Sequence, residues 1–447
     1  MRIVISDPPG HALDFAMRCQ RDGHEVRLCI RQTEKTKNIG KGLVHVTDDY
    51  RKWVMWADLV FMSDNTTYTA HLDRYRQHGV KIIGATCESA EWEVNRATGM
   101  AVLKKAGIEV PSYKEFKDYD SAIAYVKRED RRFVSKVIDG SVPNKALSYC
   151  ANSPEDMVYM LQRWKKLGKL PGAFMLQEFI PGIEMAVGGW HGRGGFRAGW
   201  CENFEFKKLM NDDMGVATGE QGTVLRYVRA SKLARKVLQP LEEALARVDY
   251  VGYVDVNCII DEKGTPWPLE FTMRPGWPTF NIQQAVHEGD CAEWLMDLLT
   301  TRESRNWRMN EIAAGVVMSI PDYPYSQMTR KEVTGVPVYG VIPDMMEHVH
   351  FCEAMMAEAP RKIRDQFVDV PMICTAGDYV LVMSATGYDV KSATEAAYRR
   401  LKTLAVPNSP MYRTDIGRRL KRQLPVLQAK GYATGMAYST AQLALSA

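Results

Sequence analysis

GYVDVNCIIDEKGTPWPLEFTMRPGWPT, residues Gly252–Thr279, reads as two strands joined by a turn at Asp261-Glu262-Lys263-Gly264, because β-branched and aromatic residues flank a cluster of turn formers. With a period of two, Val254, Val256, Cys258 and Ile260 share one face of the first strand and Asp255 and Asn257 the other. In the second strand Leu269, Phe271 and Met273 oppose Glu270, Thr272 and Arg274. A hairpin of this pattern gathers oxygen ligands and one guanidinium on a single face, a set that suits Mg²⁺ and its bound phosphates. The same alternation also fits a half-solvated hairpin that is merely polar on its wet side. Two features favour a site: the aliphatic opposite face implies a core beneath, and Arg274-Pro275-Gly276 halts the second strand beside its carboxylate.

At 447 residues the chain is too long for one core and implies two to four domains. Its 46% hydrophobic and 25% charged residues are those of a soluble globular protein, no apolar run approaches a membrane span, and Met1-Arg2-Ile3-Val4-Ile5 begins a strand rather than a signal peptide. A cytoplasmic protein is expected. Nine cysteines without a C-x-x-C pair point to reduced thiols and no cysteine zinc site. The net charge of +4 makes no case for nucleic acid.

Working outward from the hairpin, residues 1 to about 90 alternate short apolar strands (Arg2–Ser6, Glu25–Ile30, Leu59–Met62, Lys81–Gly84) with helices at about His11 to Arg21 and Ala70 to His78, a parallel α/β layer. Its first turn, Ser6 to His11, carries Pro8 and Pro9, which remove two backbone donors and argue against a dinucleotide site. A helix is expected from about Ser89 to Ala106. Next comes a small α/β unit with Lys136 inside the strand Arg132–Ile138, before a glycine turn at Asp139-Gly140-Ser141. Such a lysine is either a solvated edge residue or a point charge for a nucleotide phosphate. The strand Phe174–Ile180 ends in Gln177-Glu178-Phe179-Ile180-Pro181-Gly182-Ile183-Glu184, which fits a hinge whose backbone reads an adenine edge while Glu184 takes the ribose hydroxyls. Gly188–Gly199 reads as a glycine-rich hairpin around Trp190-His191, and Lys207-Lys208 with Thr218 to Gly222 bracket a loop long enough to close over a site. A helix is expected at Ala285–Thr300, then strands at Gly315–Ile320 and Tyr379–Ser384, a helix at Lys391–Thr403, and a basic helix from Arg413 to Arg422 whose charges read as a solvated face. His348 and His350 lack a third ligand and read as structural.

With these pieces placed, the chain resembles the phosphoribosylamine-glycine ligase (glycinamide ribonucleotide synthetase) family of the ATP-grasp superfamily. The family's E-F-N-x-R-x-G-D strand is similar to Glu270 to Trp277, its E-E-F-x-x-G-x-E hinge to Gln177 to Glu184, its H-K-R and T-G-G-M-G to Phe206-Lys207-Lys208 and Thr218-Gly219-Glu220-Gln221-Gly222, and its R-x-D-I-G to Arg413-Thr414-Asp415-Ile416-Gly417. The resemblance implies a multidomain α/β and α+β fold: an N-terminal parallel α/β domain (1–95), an ATP-grasp core of two α+β subdomains (96–180 and 181–309), a C-terminal α+β domain (310–430) and a tail (431–447). It also implies ATP with Mg²⁺ or Mn²⁺, and amide formation through an acyl phosphate with release of ADP and phosphate. By carry-over, Lys136 and Lys207 would hold the ATP phosphates together with Arg96, Thr218 and Gly219 would bind the nucleotide from the covering loop, and Lys207 and Lys208 would be catalytic along with Arg274. Gln177, Glu178, Ile180 and Glu184 would hold the nucleoside, Glu270 the metal, and Arg274 the carboxylate being activated.

Thr272 stands where the family has a metal-face asparagine, so Asn257 or Asp255 is expected to supply that oxygen. Arg96 replaces a phosphate-binding lysine and keeps its charge. On the acceptor side, Pro8-Pro9-Gly10-His11, Ser63-Asp64-Asn65 and Gly377-Asp378-Tyr379 replace the family's turns. The leading expectation is therefore a ligase that activates a small amino acid, glycine first, and joins it to an altered amine acceptor that is neutral or cationic. An acceptor held on a larger polymer also fits these residues, although the net charge lends no support to nucleic acid as that polymer. The alternatives are a genuine phosphoribosylamine-glycine ligase, and an ATP-binding module without turnover.

Overall fold

The computed structural model describes residues 1–138, 148–169, 172–302, 306–326, 330–407 and 409–440; the expected glycine turn at 139–141 lies outside them. The N-terminal layer is a five-stranded parallel sheet in the order Val46–Thr47, Glu25–Cys29, Arg2–Ser6, Leu59–Met62, Ile82–Ile83. Its strands are apolar on both faces, and Ile3, Val4, Ile5, Leu59, Val60 and Phe61 are all buried, because helices cover the sheet from each side. The strand order reverses between Arg2–Ser6 and Leu59–Met62, so the loops after them, beginning at Asp7 and Ser63, open on one crevice.

The small unit is a four-stranded antiparallel sheet, Tyr113–Phe116, Phe174–Glu178, Phe133–Val137, Tyr149–Cys150, with the helices Tyr119–Glu129 and Pro154–Lys166 packed on it. It has its own core of Phe116, Val126, Phe133, Leu161, Trp164 and Phe174. The rest of the chain is built on a nine-stranded sheet whose main path runs Pro266–Thr272, Gly252–Ile260, Ile183–Gly192, Trp200–Glu205, Gly222–Val228, Ile312–Ser319, Tyr379–Gly387, Val349–Phe351. The division expected at 309/310 falls in a loop inside this sheet, since Ile312–Ser319 pairs with Gly222–Val228. No helix among the described residues is long and apolar enough to cross a membrane.

The fold is mixed α/β and α+β as expected, with four local corrections. The helix expected over 89–106 is two, Cys87–Val94 and Arg96–Lys105; Asn95 is extended (φ −106°, ψ 102°), and its Oδ1 caps the second by accepting from Ala97 N and Thr98 N. The helix expected over 285–300 starts later and is shorter, Cys291–Leu298, capped by Asp290 and preceded by Gly289 at φ +71°; a separate helix, Thr279–Gln284, ends before the expected range begins. Trp190 and His191 lie within the strand Ile183–Gly192 and are buried; the hairpin tip is Arg193-Gly194. The basic stretch from Arg413 is not a solvated helix. The helix is Leu420–Gln428, and Arg413 is buried.

Candidate functional site

The hairpin forms as its pattern dictates. Asn257 lies directly across from Glu270 and Asp255 from Thr272, while Val254, Val256 and Cys258 are fully buried on the opposite face. A register shift after Asn257 leaves Leu269 unpaired, and its free carbonyl accepts Lys136 Nζ from the small unit at 3.3 Å. Around Glu270 the structure gathers side chains from five segments. Arg96, the first residue of the helix that Asn95 caps, reaches Glu270 Oε2 at 2.6 Å. Lys207 Nζ lies 2.8 Å from Glu184, 3.0 Å from Glu205 and 3.8 Å from Glu270. Three cations, Arg96, Lys136 and Lys207, are thus interleaved with three carboxylates, Glu184, Glu205 and Glu270.

Burial alone would raise the Glu270 carboxyl, but Arg96, Lys207 and Lys136 together hold it far below the usual carboxylate range. Burial would likewise lower the Lys207 ammonium, and Glu184, Glu205 and Glu270 reverse this and raise it well above its ordinary value. Lys136 has no carboxylate in contact among the described residues. Burial and the like charge of Arg96 bring its ammonium down to about 7.

Asn257 donates Nδ2 to Glu205 Oε2 at 3.0 Å, which leaves its buried Oδ1 without a hydrogen-bond partner among the described residues. An idle buried carbonyl oxygen beside two carboxylates is a donor set that fits a hard cation. Of the two residues expected to replace the ligand lost at Thr272, the geometry favours Asn257. Asp255 already accepts from Asn203 Nδ2 (2.9 Å) and Tyr253 OH (3.3 Å), and burial, then repulsion from Glu205, push its carboxyl up to about 7.

The other expected residues are distributed as follows. Gln177 is buried in its strand with Nε2 unpartnered among the described residues. Glu178 accepts from Ser112 Oγ (2.6 Å) and pairs with Arg131, while Ile180 is half-buried past the strand end. Thr218 ties its loop down by bonding the Lys207 carbonyl through both N and Oγ1, and Gly219 is exposed beside it. Lys208 makes no ion pair with the charge cluster among the described residues and lends its carbonyl to Arg413 Nη1. Arg274 pairs with Glu93 at 3.0 Å, and Glu93 also accepts from Met273 N and Asn65 Nδ2, so the guanidinium sits where the hairpin meets the N-terminal domain. Trp277 Nε1 donates to the Ser63 carbonyl at the same junction.

Sequence reasoning missed Glu205, Glu93, Glu220 and Arg419. Glu205 had a signal, since Glu205 and Lys207 alternate around buried Phe206 and therefore share a face. Arg419 had none: it stacks 4.1 Å over the Phe206 ring and donates to the Glu205 carbonyl from more than two hundred residues away. On the acceptor side, Asp7 accepts from His11 N (3.0 Å), Ala12 N (2.8 Å) and Ser63 Oγ (2.5 Å) and is fully buried. His350 is structural, held between Asp14 and Ser384 at 2.8 Å each.

Residues 96–279 match the family described as phosphoribosylglycinamide synthetase, ATP-grasp (A) domain. The phosphoribosylamine-glycine ligase of Ralstonia nicotianae is 25% identical over 365 residues, which cover 79% of this chain and 82% of that protein. The crystal structure of the phosphoribosylamine-glycine ligase of Thermotoga maritima superposes with a TM-score of 0.69 at 16% identity, over 93% of this chain and 100% of that one. The biotin carboxylase domain of the Hydrogenobacter thermophilus 2-oxoglutarate carboxylase, solved with MgADP and bicarbonate, has a TM-score of 0.62 at 12% identity, over 98% and 96% of the two chains.

Proposed function

This chain is a divergent ATP-grasp carbon-nitrogen ligase similar to the phosphoribosylamine-glycine ligases, and we propose that it joins the carboxylate of glycine to an amine with ATP and Mg²⁺. When bound, Mg-ATP supplies the phosphoryl group that turns the carboxylate into an acyl phosphate, which the amine displaces with release of phosphate. The observation that carries this reading is the interleaved charge cluster with the idle Asn257 oxygen at its centre.

In this reading Glu270, Asn257 and Glu205 would hold the cation, and Arg96 and Lys207, which engage Glu270 and its neighbours, would be placed to neutralise the phosphates beside it. Lys136 approaches from the small unit as a third phosphate ligand, and Glu184 and Gln177 line the nucleoside side. Arg274, oriented by Glu93, receives the amino-acid carboxylate, for which a planar two-donor guanidinium is suited. The small unit covers the site and excludes water, which would otherwise consume the activated acyl group.

For the amine, the named relatives support phosphoribosylamine. One specific observation supports a second reading, an acceptor without a 5′-phosphate at this helix start. The N–H groups of His11 and Ala12, which could receive a phosphate, are spent on Asp7, and Pro8 and Pro9 have none to give. The experiment is an ADP-release assay with Mg-ATP, glycine and either fresh phosphoribosylamine or a panel of other amines. Release dependent on both glycine and phosphoribosylamine establishes the first reading, release with other amines only establishes the second, and no amine-dependent release with any carboxylate refutes the ligase.

A further inference from the structure

We propose that His24, Asp290, Cys291 and Cys19 form a structural site for a tetrahedral divalent cation of the Zn²⁺ class, outside the nucleotide cluster and independent of the ligase reading. A ring nitrogen of His24, a carboxylate oxygen of Asp290 and the sulfur of Cys291 all lie within 4.8 Å of one another. Cys19 Sγ lies 3.2 Å from Cys291 Sγ, and His24 Nε2 lies 2.8 Å from Asp290 Oδ1. Around Zn²⁺, with bonds of about 2.0–2.3 Å, tetrahedral ligand atoms sit ~3.3–3.8 Å apart, an edge that these distances bracket. Two sulfurs, an imidazole and a carboxylate are donors that select Zn²⁺ over Mg²⁺, each thiol giving up its proton to become a thiolate ligand.

The fold brings the four together across the seam between the N-terminal domain and the helix Cys291–Leu298. The helix Leu13–Arg21 carries Cys19; after it Gly23 takes a left-handed backbone (φ +88°), and His24 N bonds back to the Cys19 carbonyl, which returns the chain toward that thiol. From the other side, Asp290 Oδ1 accepts from Ala292 N and Glu293 N, and Cys291 N donates to Asp22 Oδ2. Arg18 donates to the carbonyls of Gln284 and His287 and so fixes the chain leading to Asp290. The ligands are therefore placed by bonds that need no metal, as a preorganised site requires. Both thiols are at most 1% exposed, while the Asp290 carboxylate is 26% exposed and gives an ion its way in. The two cysteines are 272 positions apart, so the missing C-x-x-C pair carried no information about this site.

The test uses the full chain after chelator treatment, at saturating Mg²⁺, with Co²⁺ as the spectroscopic probe and Zn²⁺ as its competitor. The wild type is expected to bind one Co²⁺ with a sulfur-to-cobalt charge-transfer band in the near ultraviolet and the strong visible bands of tetrahedral cobalt. One equivalent of Zn²⁺ should bleach both and raise the thermal unfolding midpoint. Cys291→Ser and His24→Gln should each weaken Zn²⁺ binding by about 100-fold or more, while Cys87→Ser, at an exposed cysteine, should change nothing. A wild type that gives no charge-transfer band overturns the inference, and this holds even where a variant fails to fold. Zn²⁺ affinity equal to that of the wild type in both Cys291→Ser and His24→Gln also overturns it, since the ion then sits on other residues.

Discussion

Lys136 is the cation of the site whose charge is least secure, and this makes nucleotide binding depend on pH with a predictable sign. Burial and the nearby Arg96 bring its ammonium down to about 7, Glu270 and Glu184 offsetting them only in part. A phosphate placed beside it would restore the ammonium toward the ordinary lysine range, so binding above pH 7 takes up a proton. At pH 6 the lysine is already charged and affinity should not vary with pH. At pH 8 about one lysine in ten is charged, so affinity should fall about tenfold per pH unit above 7, or ~1.4 kcal/mol. The loss ends only where the lysine of the complex itself deprotonates. The assay is titration calorimetry with a non-hydrolysable ATP analogue at saturating Mg²⁺, in two buffers of different ionisation heat, from pH 6 to 9. Proton uptake should approach one per nucleotide at pH 8 and vanish at pH 6. Lys136→Arg, which stays charged throughout, should flatten the profile. An affinity that is constant from pH 6 to 9 in the wild type, with no proton uptake, would refute the placement of Lys136 against phosphate.

Glu270→Gln should leave the fold intact and reduce turnover by about a hundredfold or more, because it removes the charged oxygen donor that Arg96 and Lys207 surround; full Mg-dependent ADP release by this variant would sink the metal assignment. Glu184→Ala should weaken Mg-ATP binding by roughly 1.5–3 kcal/mol, read by the same titration, and wild-type affinity would place the ribose elsewhere. Arg413→Ala should destabilise the protein by about 3–5 kcal/mol, since it leaves buried Asp415 without its two-pronged partner and the Lys208 carbonyl without its donor, Asp213 keeping only Arg419; a denaturation midpoint equal to that of the wild type would contradict this. Asn95→Ala should cost ~1 kcal/mol of stability through the lost cap and also lower turnover, because Arg96 takes its position from that cap; the check is urea denaturation beside ADP release.

The hairpin was legible because its information is local. A period of two over nine and seven residues decides which side chains are buried and which face Glu270, and no distant contact is needed to read it. The N-terminal layer was legible for a similar reason, its apolar runs being short and bounded by turn formers. What was hidden depends on pairing across the chain. The role of Glu205 required knowing that Ile183–Gly192 lies between Gly252–Ile260 and Trp200–Glu205, which brings Asn257 within reach of its carboxylate. Arg413 and Arg419 looked like surface charge because their partners, Asp213 and the Glu205 carbonyl, come from a loop and a strand two hundred residues earlier. Asn95 shows a different failure. Its capping signal was local, but the surrounding apolar periodicity reads straight through it, and only the extended backbone reveals the break that aims Arg96 at the hairpin.

The unbroken sheet beneath the site has a mechanical consequence. Because hydrogen-bonded strands run from Pro266–Thr272 through to Val349–Phe351, the metal face and the C-terminal strands form one stiff plank that cannot flex between its two ends without breaking a ladder. The small unit, by contrast, carries its own core, and its Lys136 bonds to the plank at the Leu269 carbonyl. Met100, Leu103, Ile108 and Val110 still belong to the plank's core, so the small unit is joined to it by only two crossings, the chain just past Val110 and the Pro181-Gly182 turn. At Gly182 an added β-carbon would collide with the Ile260 carbonyl at 2.4 Å, so a bulkier residue there would shift the small unit against the plank without touching any group of the charge cluster.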